Sequence, residues 1–255
     1  MANEVKLEKY LASVLAAEIG FNAQPEFLKA KAIICRTYAI GSPNRHSTDG
    51  YLLCSEVHCQ VYKGNKDITS QIIHALKATE GQIITDSLKN PIIAAFHSNC
   101  GGKTQNSEVG WTTSLPYLRS VTDTFCLNQP HAKWEVTIPF NKWNAYIASS
   151  SQNFNDSSIT KSLNGTVEDP FSLERQKYFT YKGKQILTKK LRLDWKFKSS
   201  WFTITEQKDS ILVQGRGYGH GIGLCQEGAM HMAELDLTHE EIIHFYYTGV
   251  LIGNR

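Results

Sequence analysis

Glu18 stands where an apolar side chain is expected. Leu7, Tyr10, Leu11, Val14, Leu15 and Glu18 recur at the spacing of one helical stripe. Burial disfavours the charged form of a carboxyl group at such a position. The negative end of the helix dipole acts in the same direction. A carboxylic acid that keeps its proton near neutral pH can protonate a leaving-group oxygen. The competing reading is a buried glutamate paired with a cation, for which Arg36 on the next helix is available; such a partner would favour the carboxylate instead.

A second group of chemistry-bearing residues lies in CSEVHCQVYKG, where Cys54, His58 and Cys59 fall close together with His46 upstream. Thiolate and imidazole are the ligands zinc prefers, although the spacing is not that of a zinc finger. A buried or disulfide-bonded pair of cysteines beside a chance histidine stays open as the alternative. In GRGYGHGIG, Gly215, Gly217, Gly219, Gly221 and Gly223 alternate with side-chain residues. Alternation predicts a strand that backbone or ligand approaches closely on one face, with His220 on the other. His220 in a plain packing crossing is the other reading. The loop from His97 to Glu108 is dense in hydrogen-bonding groups that suit sugar hydroxyls, or solvent.

Three further signatures fail. Gly102-Lys103-Thr104 resembles the end of a phosphate loop, but His97 occupies the position that needs the first glycine. The glycine run satisfies G-x-G-x-x-G in no register. His239 and His244 sit five apart on a helix, so they diverge by about 140° and cannot share a metal as an i, i+4 pair does.

The elements that must position these residues follow from periodicity. One helix carries the Glu18 stripe and stops at Gly20. A second opens at Pro25 and ends near Gly41-Ser42-Pro43, and a third runs from Thr69 to Gly81. Strands are expected at Gln82–Thr85, Ile92–Phe96, Trp134–Ile138, Tyr178–Tyr181, Trp201–Thr205 and Ser210–Gln214. The stretch Ser149–Ser158 reads as an exposed loop. Two closing helices are expected near 224–235 and 239–247, the last opened by a Thr238/Glu241 capping box. The fold class is α+β, with helices around a mixed sheet and a β-rich insertion. Residues 1–126 and 206–255 form the two parts of a catalytic domain, and 127–205 form the insertion.

The chain has 255 residues, 41% of them hydrophobic and 20% charged, the composition of an ordinary globular protein. A net charge of +3 is too small to point to nucleic acid. No run reaches the roughly 18 apolar residues of a membrane span, and the N-terminus does not read as a signal peptide. The six cysteines are too dilute for a disulfide scaffold.

Three blocks together resemble the stage II sporulation protein D family, which includes an amidase enhancer of cell-wall lysis. They are YLASVLAAEIG…PEFLKAKAIICRTYA, then AAFHSNCGGKTQNSEVGW with LPYLRSV, then GRGYGHGIGLCQEGAMHMA with IIHFYYTGV. The resemblance implies a lytic transglycosylase acting on peptide-stripped peptidoglycan strands in the cell envelope, in the periplasm or outside the cell, and leaving 1,6-anhydromuramic ends. It places the catalytic glutamate at Glu18, acting as acid and then as base. It implies a zinc site at His46, Cys54, His58 and Cys59, and substrate-lining roles for Arg36, Ser98, Asn106, Glu108, His220 and Gln226. A cell-wall amidase is an implied partner. Two other classes remain: a non-catalytic glycan-binding activator of that amidase, and a zinc hydrolase. The sequence departs from the family at Ile19-Gly20, where Met-Pro is usual, at Cys225, where serine is common, and at Cys100, which replaces a small polar residue.

Overall fold

The computed structural model describes residues 3–19, 23–41, 45–56, 58–150, 171 and 175–255. The expected stop at Gly20, the Ser42-Pro43 break and residues 151–158 of the expected loop lie outside that set.

Helix α1 (Leu7–Ile19) buries Leu11, Val14 and Leu15 against α2 (Pro25–Gly41). Helix α2 is covered on nearly all sides. Phe27, Leu28, Ala30, Lys31, Ala32, Ile33, Ile34, Cys35, Arg36, Thr37 and Tyr38 are all buried. A helix apolar on one face only could not sit there, so its polar groups need partners. Thr37 Oγ1 donates to the Ile33 carbonyl at 2.7 Å and accepts from the Ile84 amide at 2.9 Å. That second bond ties α2 to β1 (Gln82–Thr85). Helix α3 (Ser70–Ala78) is capped by Thr69, whose side chain accepts from the Ile72 amide.

Strand β2 is only Phe96–His97, shorter than the expected Ile92–Phe96. Residues 91–92 instead turn back on β1, through a Thr85–Pro91 bridge and a bond from the Ile92 amide to the Ile84 carbonyl. Pro91 has no N–H with which to extend a ladder. A short helix α4 (Ser107–Gly110) follows.

A second hydrophobic cluster, separate from the first, gathers Trp134, Ile138, Trp143, Ile147, Ile186, Leu191, Phe202, Ile211 and Val213. It is built from β3 (Lys133–Pro139), α5 (Phe140–Ser150), β4 (Tyr178–Tyr181), β5 (Lys184–Leu187), α6 (Thr188–Asp194), β6 (Phe202–Glu206) and β7 (Ser210–Arg216). The strands expected at 134–138, 178–181, 201–205 and 210–214 are present, within a residue or two at their ends. Helices α5 and α6 are additional. Strands β4 and β5 form a hairpin whose turn residues, Lys182 and Gly183, both take positive φ, as a two-residue loop of this type requires. Strand β7 lies between β3 and β6 in an antiparallel sheet.

The chain returns to the first cluster through β8 (Leu224–Cys225), α7 (Gln226–Glu234), α8 (His239–Tyr246) and β9 (Leu251–Asn254). The Thr238–Glu241 capping box opens α8 as expected. Strand β9 pairs antiparallel with β1, and β8 pairs parallel with β2. The class is therefore α+β, with several small sheets in place of one mixed sheet.

The glycine run does not continue as a strand. Beyond Arg216, Gly217, Gly219, Gly221 and Gly223 all have positive φ, so alternate residues take the conformation that side chains avoid. Backbone approaches Gly217 and Gly223, and the side chains of His97 and Arg175 approach Gly219 and Gly221. A Cβ on Gly219 would lie 2.7 Å from His97 Cβ, and one on Gly223 would lie 2.1 Å from the Ala95 carbonyl oxygen.

Gly219→Ala should therefore lower stability by about 2–4 kcal/mol, the sum of a disfavoured φ and a steric clash. Gly183→Ala, with positive φ but open space around it, should cost only about 1 kcal/mol. Urea unfolding of the two variants measures the difference.

Candidate functional site

Glu18 lies half-buried in the last turn of α1. The Val61 amide donates to its Oε1 at 3.2 Å, which makes Val61 its one hydrogen-bond donor among the described residues. The segment carrying Val61 lies along α1. The Lys63 amide donates to Ser13 Oγ at 3.2 Å, Tyr10 donates to Gln60 Oε1 at 3.2 Å, and Tyr62 stacks on Tyr10 with ring centroids 5.5 Å apart. Arg36 does not pair with Glu18. Its guanidinium forms a two-pronged pair with Glu8, both bonds 2.8 Å, and donates to the Gln82 carbonyl. Glu18 therefore forms no ion pair with Arg36, which serves instead as a buried brace between α1, α2 and β1.

The cation that does feel Glu18 is Lys31. Its ammonium is fully buried, has no hydrogen-bond partner among the described residues and lies 3.1 Å from the centre of the Phe96 ring. Burial pushes its pKa down, while Cys35 and Glu18 favour its charged form. Sequence reasoning passed over Lys31. A lysine at a core position of a helix buried on all sides was the available signal.

His46, Cys54, His58 and Cys59 converge, with one ligand atom from each lying within 4.8 Å of the others. His58 Nδ1 is 3.8 Å from Cys54 Sγ and 3.7 Å from Cys59 Sγ, and His46 Nε2 is 3.3 Å from His58 Nδ1. Asp49 holds the other nitrogen of His46 at 2.9 Å. A carboxylate behind a histidine orients the ring and leaves its second nitrogen for a metal. Burial disfavours the Cys54 thiolate, but the Glu56 backbone and the His58 ring outweigh it and bring the pKa down to about 6. Two thiols and two imidazoles, one of them held by Asp49, fit zinc. Gln60-Val61-Tyr62-Lys63 follows Cys59 directly, so the cluster immediately precedes the segment that holds Glu18.

The remaining expected residues divide. His220 is half-buried against His97 and Trp111, with ring centroids 5.4 and 5.9 Å away. Its Nδ1 accepts from the Ile222 amide at 3.1 Å, so the ring has a definite orientation. Ser98 and Gln226 follow the paired strands β2 and β8 directly. Gln226 Oε1 is buried without a partner among the described residues. Asn106 and Glu108 are engaged elsewhere. Asn106 Oδ1 accepts from the Ser120 amide at 2.8 Å, and Glu108 pairs two-pronged with Arg119 at 2.9 and 2.7 Å. Hydrogen bonding to Arg119 holds Glu108 down to about 2. A groove lined by Glu8, Lys9, Ala12, Ile73 and Lys77 lies toward the start of α1 and does not include Glu18.

The comparisons bear on this arrangement. A family model described as stage II sporulation protein matches residues 1–85, which contain Glu18 and the Cys/His cluster. An uncharacterised protein of Brachyspira hyodysenteriae is 30% identical over 98% of this chain and 67% of its own. The chain belongs to the stage II sporulation protein D family. Stage II sporulation protein D of Bacillus subtilis is 29% identical over 98% of this chain and 75% of its own length. An amidase enhancer of Bacillus subtilis is 26% identical over 95% of this chain and 40% of its own. No helix among the described residues is long and apolar enough to cross a membrane.

Two outcomes follow. Burial, then the Arg192 charge, hold His220 down to about 4. A native histidine held below its unfolded value of 6.5 costs stability as pH falls, because the unfolded chain takes up the proton first. His220 should stay neutral at pH 5 by nitrogen-15 NMR, and its contribution to stability should decline from about pH 6.5 to 4. Second, loading the His46/Cys54/His58/Cys59 cluster with zinc should slow amide exchange at Val61 and Lys63 relative to the metal-free protein and leave α2 unchanged, as hydrogen-exchange mass spectrometry would resolve.

Proposed function

We propose that this protein is a peptidoglycan lytic transglycosylase with Glu18 as its single acid and base. Membership of the family supports a cell-wall-related role, and the cell envelope is where that role belongs. The observation that carries the finer reading is the setting of Glu18. Its carboxyl group is held by the Val61 amide while the neighbouring arginine is committed to Glu8.

In this mechanism Glu18 gives its proton to the glycosidic oxygen as the bond from the anomeric carbon of N-acetylmuramic acid breaks. The carboxylate then takes the proton of the muramic 6-hydroxyl as that oxygen closes on the anomeric carbon. Glu18 ends protonated, as it began, and no water is consumed. One carboxyl group is enough, unlike the pair that hydrolytic glycosidases need. His220, Trp111, Ser98 and Gln226 offer an aromatic and hydrogen-bonding wall suited to a sugar. Arg36, Asn106 and Glu108 act by holding the elements around it. Zinc at His46, Cys54, His58 and Cys59 would supply a structural cross-link. Four protein donors complete a tetrahedral site, whereas a zinc hydrolase needs an open position.

The amidase-enhancer relative favours a second reading, in which the protein binds glycan strands and activates a separate amidase. One experiment separates the two. Wild type and Glu18→Gln are incubated with peptide-stripped glycan and the products are weighed. Anhydro ends from wild type, reduced by about 100-fold or more in the variant, support the transglycosylase. No products from either, with faster digestion when an amidase is added, would replace it with the activator. Released peptides that vanish with a chelator would replace it with a zinc hydrolase.

A further inference from the structure

Four buried residues outside the site just described converge in the same manner. Cys100, Asp123, Cys126 and Cys225 each bring one sulfur or oxygen within 4.8 Å of the others, and all are inaccessible to solvent. Cys100 Sγ lies 3.3 Å from Cys126 Sγ and 3.2 Å from Asp123 Oδ2. In a tetrahedral zinc site with metal–sulfur bonds of about 2.3 Å, the sulfurs stand roughly 3.8 Å apart. The four atoms are therefore close to a coordination sphere, and a small inward or outward adjustment completes it.

The surroundings are those of a metal site as well. Amides aim at the sulfurs: Cys100 N and Gly228 N donate to Cys225 Sγ at 3.2 and 3.4 Å. The Asp123 carboxylate accepts from the Tyr246 hydroxyl at 2.9 Å and from the Phe125 amide at 3.0 Å, which fixes the carboxylate as an outer shell should. Gly228 admits the start of α7 to this place. A Cβ there would lie 2.4 Å from both Asp123 Oδ2 and the Tyr246 hydroxyl. The buried guanidinium of Arg175 donates to the Cys100 carbonyl and adds one positive charge beside the thiols. A carboxyl and three thiols gathered away from water need more cationic compensation than that if they ionise.

We propose that Cys100, Asp123, Cys126 and Cys225 form a second, closed binding site for a zinc-class divalent cation. The site is structural. It joins the loop after β2, the 123–126 turn and the β8–α7 junction, segments that stand up to 125 residues apart in the chain. The proposal does not depend on the first cluster holding zinc or on Glu18 being catalytic.

The test uses full-length protein purified without oxygen in the presence of Zn2+ or Co2+. Metal content and the cobalt spectrum are compared in wild type, in Cys54→Ser/Cys59→Ser, and in that variant with Cys126→Ser added. The expected result is about one equivalent of metal retained by the double variant, with sulfur-to-cobalt absorption in the near ultraviolet. Adding Cys126→Ser should reduce it about tenfold or more. If the triple variant does not fold, the cobalt spectrum of the double variant decides, because Cys35 is the only other thiol it carries. A folded double variant with no metal would overturn the proposal. So would an intact-mass measurement showing a Cys100–Cys126 disulfide in protein never exposed to oxygen.

Discussion

Residues 95–101 and the glycine run 217–223 touch backbone to backbone, and the arrangement of this molecule depends on that contact. The Tyr218 amide donates to the Asn99 carbonyl at 2.7 Å and the Asn99 amide returns the bond at 3.0 Å. Leu224 N bonds the Ala95 carbonyl, and β2 then runs parallel with β8. Strands this short contribute little by themselves. What holds them is the absence of side chains where the two segments cross. The crossing sets His97 against His220, Ser98 beside the start of α7, and Cys100 against Cys225.

Helix α2 imposes a second constraint. A helix buried along nearly its whole length must satisfy every polar group it carries, or lose stability for each one left alone. Arg36 does so through Glu8 and the Gln82 carbonyl, and Thr37 does so through β1. Among the described residues, Lys31 finds only the face of Phe96 and the field of Glu18 and Cys35. A buried ammonium with so little compensation is costly. Its charge interacts with that of Glu18, the candidate acid. Phe96 then links that end of α2 to His97 and the glycine crossing.

The two sulfur clusters differ in exposure and in partners. The Cys54 group lies toward the surface, close to the segment that holds Glu18, and its histidines are oriented by Asp49 and Arg45. The Cys100 group is buried where three distant segments meet, with amides and a tyrosine hydroxyl turned toward it. A metal ion in either group would cross-link loops that flank the candidate site, and loops positioned in that way can carry function without the support of long strands.

Much was legible in the sequence because its signals are local. Helical periodicity located α1, α2 and α3, Thr69 marked the start of α3 and Thr238 that of α8, and local strand patterns marked the strands of the second cluster. Glu18 stood out because it broke an apolar stripe, and the Cys54–Cys59 grouping is compact in sequence. Helix α5 was also local, with Phe140, Trp143 and Ile147 at helical spacing, but flanking serines and asparagines hid it. Only the tertiary structure decided which partners meet. It gave Arg36 to Glu8 and Glu108 to Arg119, and it made the glycines a crossing and not a strand. It also brought Cys100, Asp123, Cys126 and Cys225 together. Periodicity reports which face of an element is buried. Which charges and sulfurs meet between elements up to 125 residues apart is set by packing, which no spacing within one element encodes.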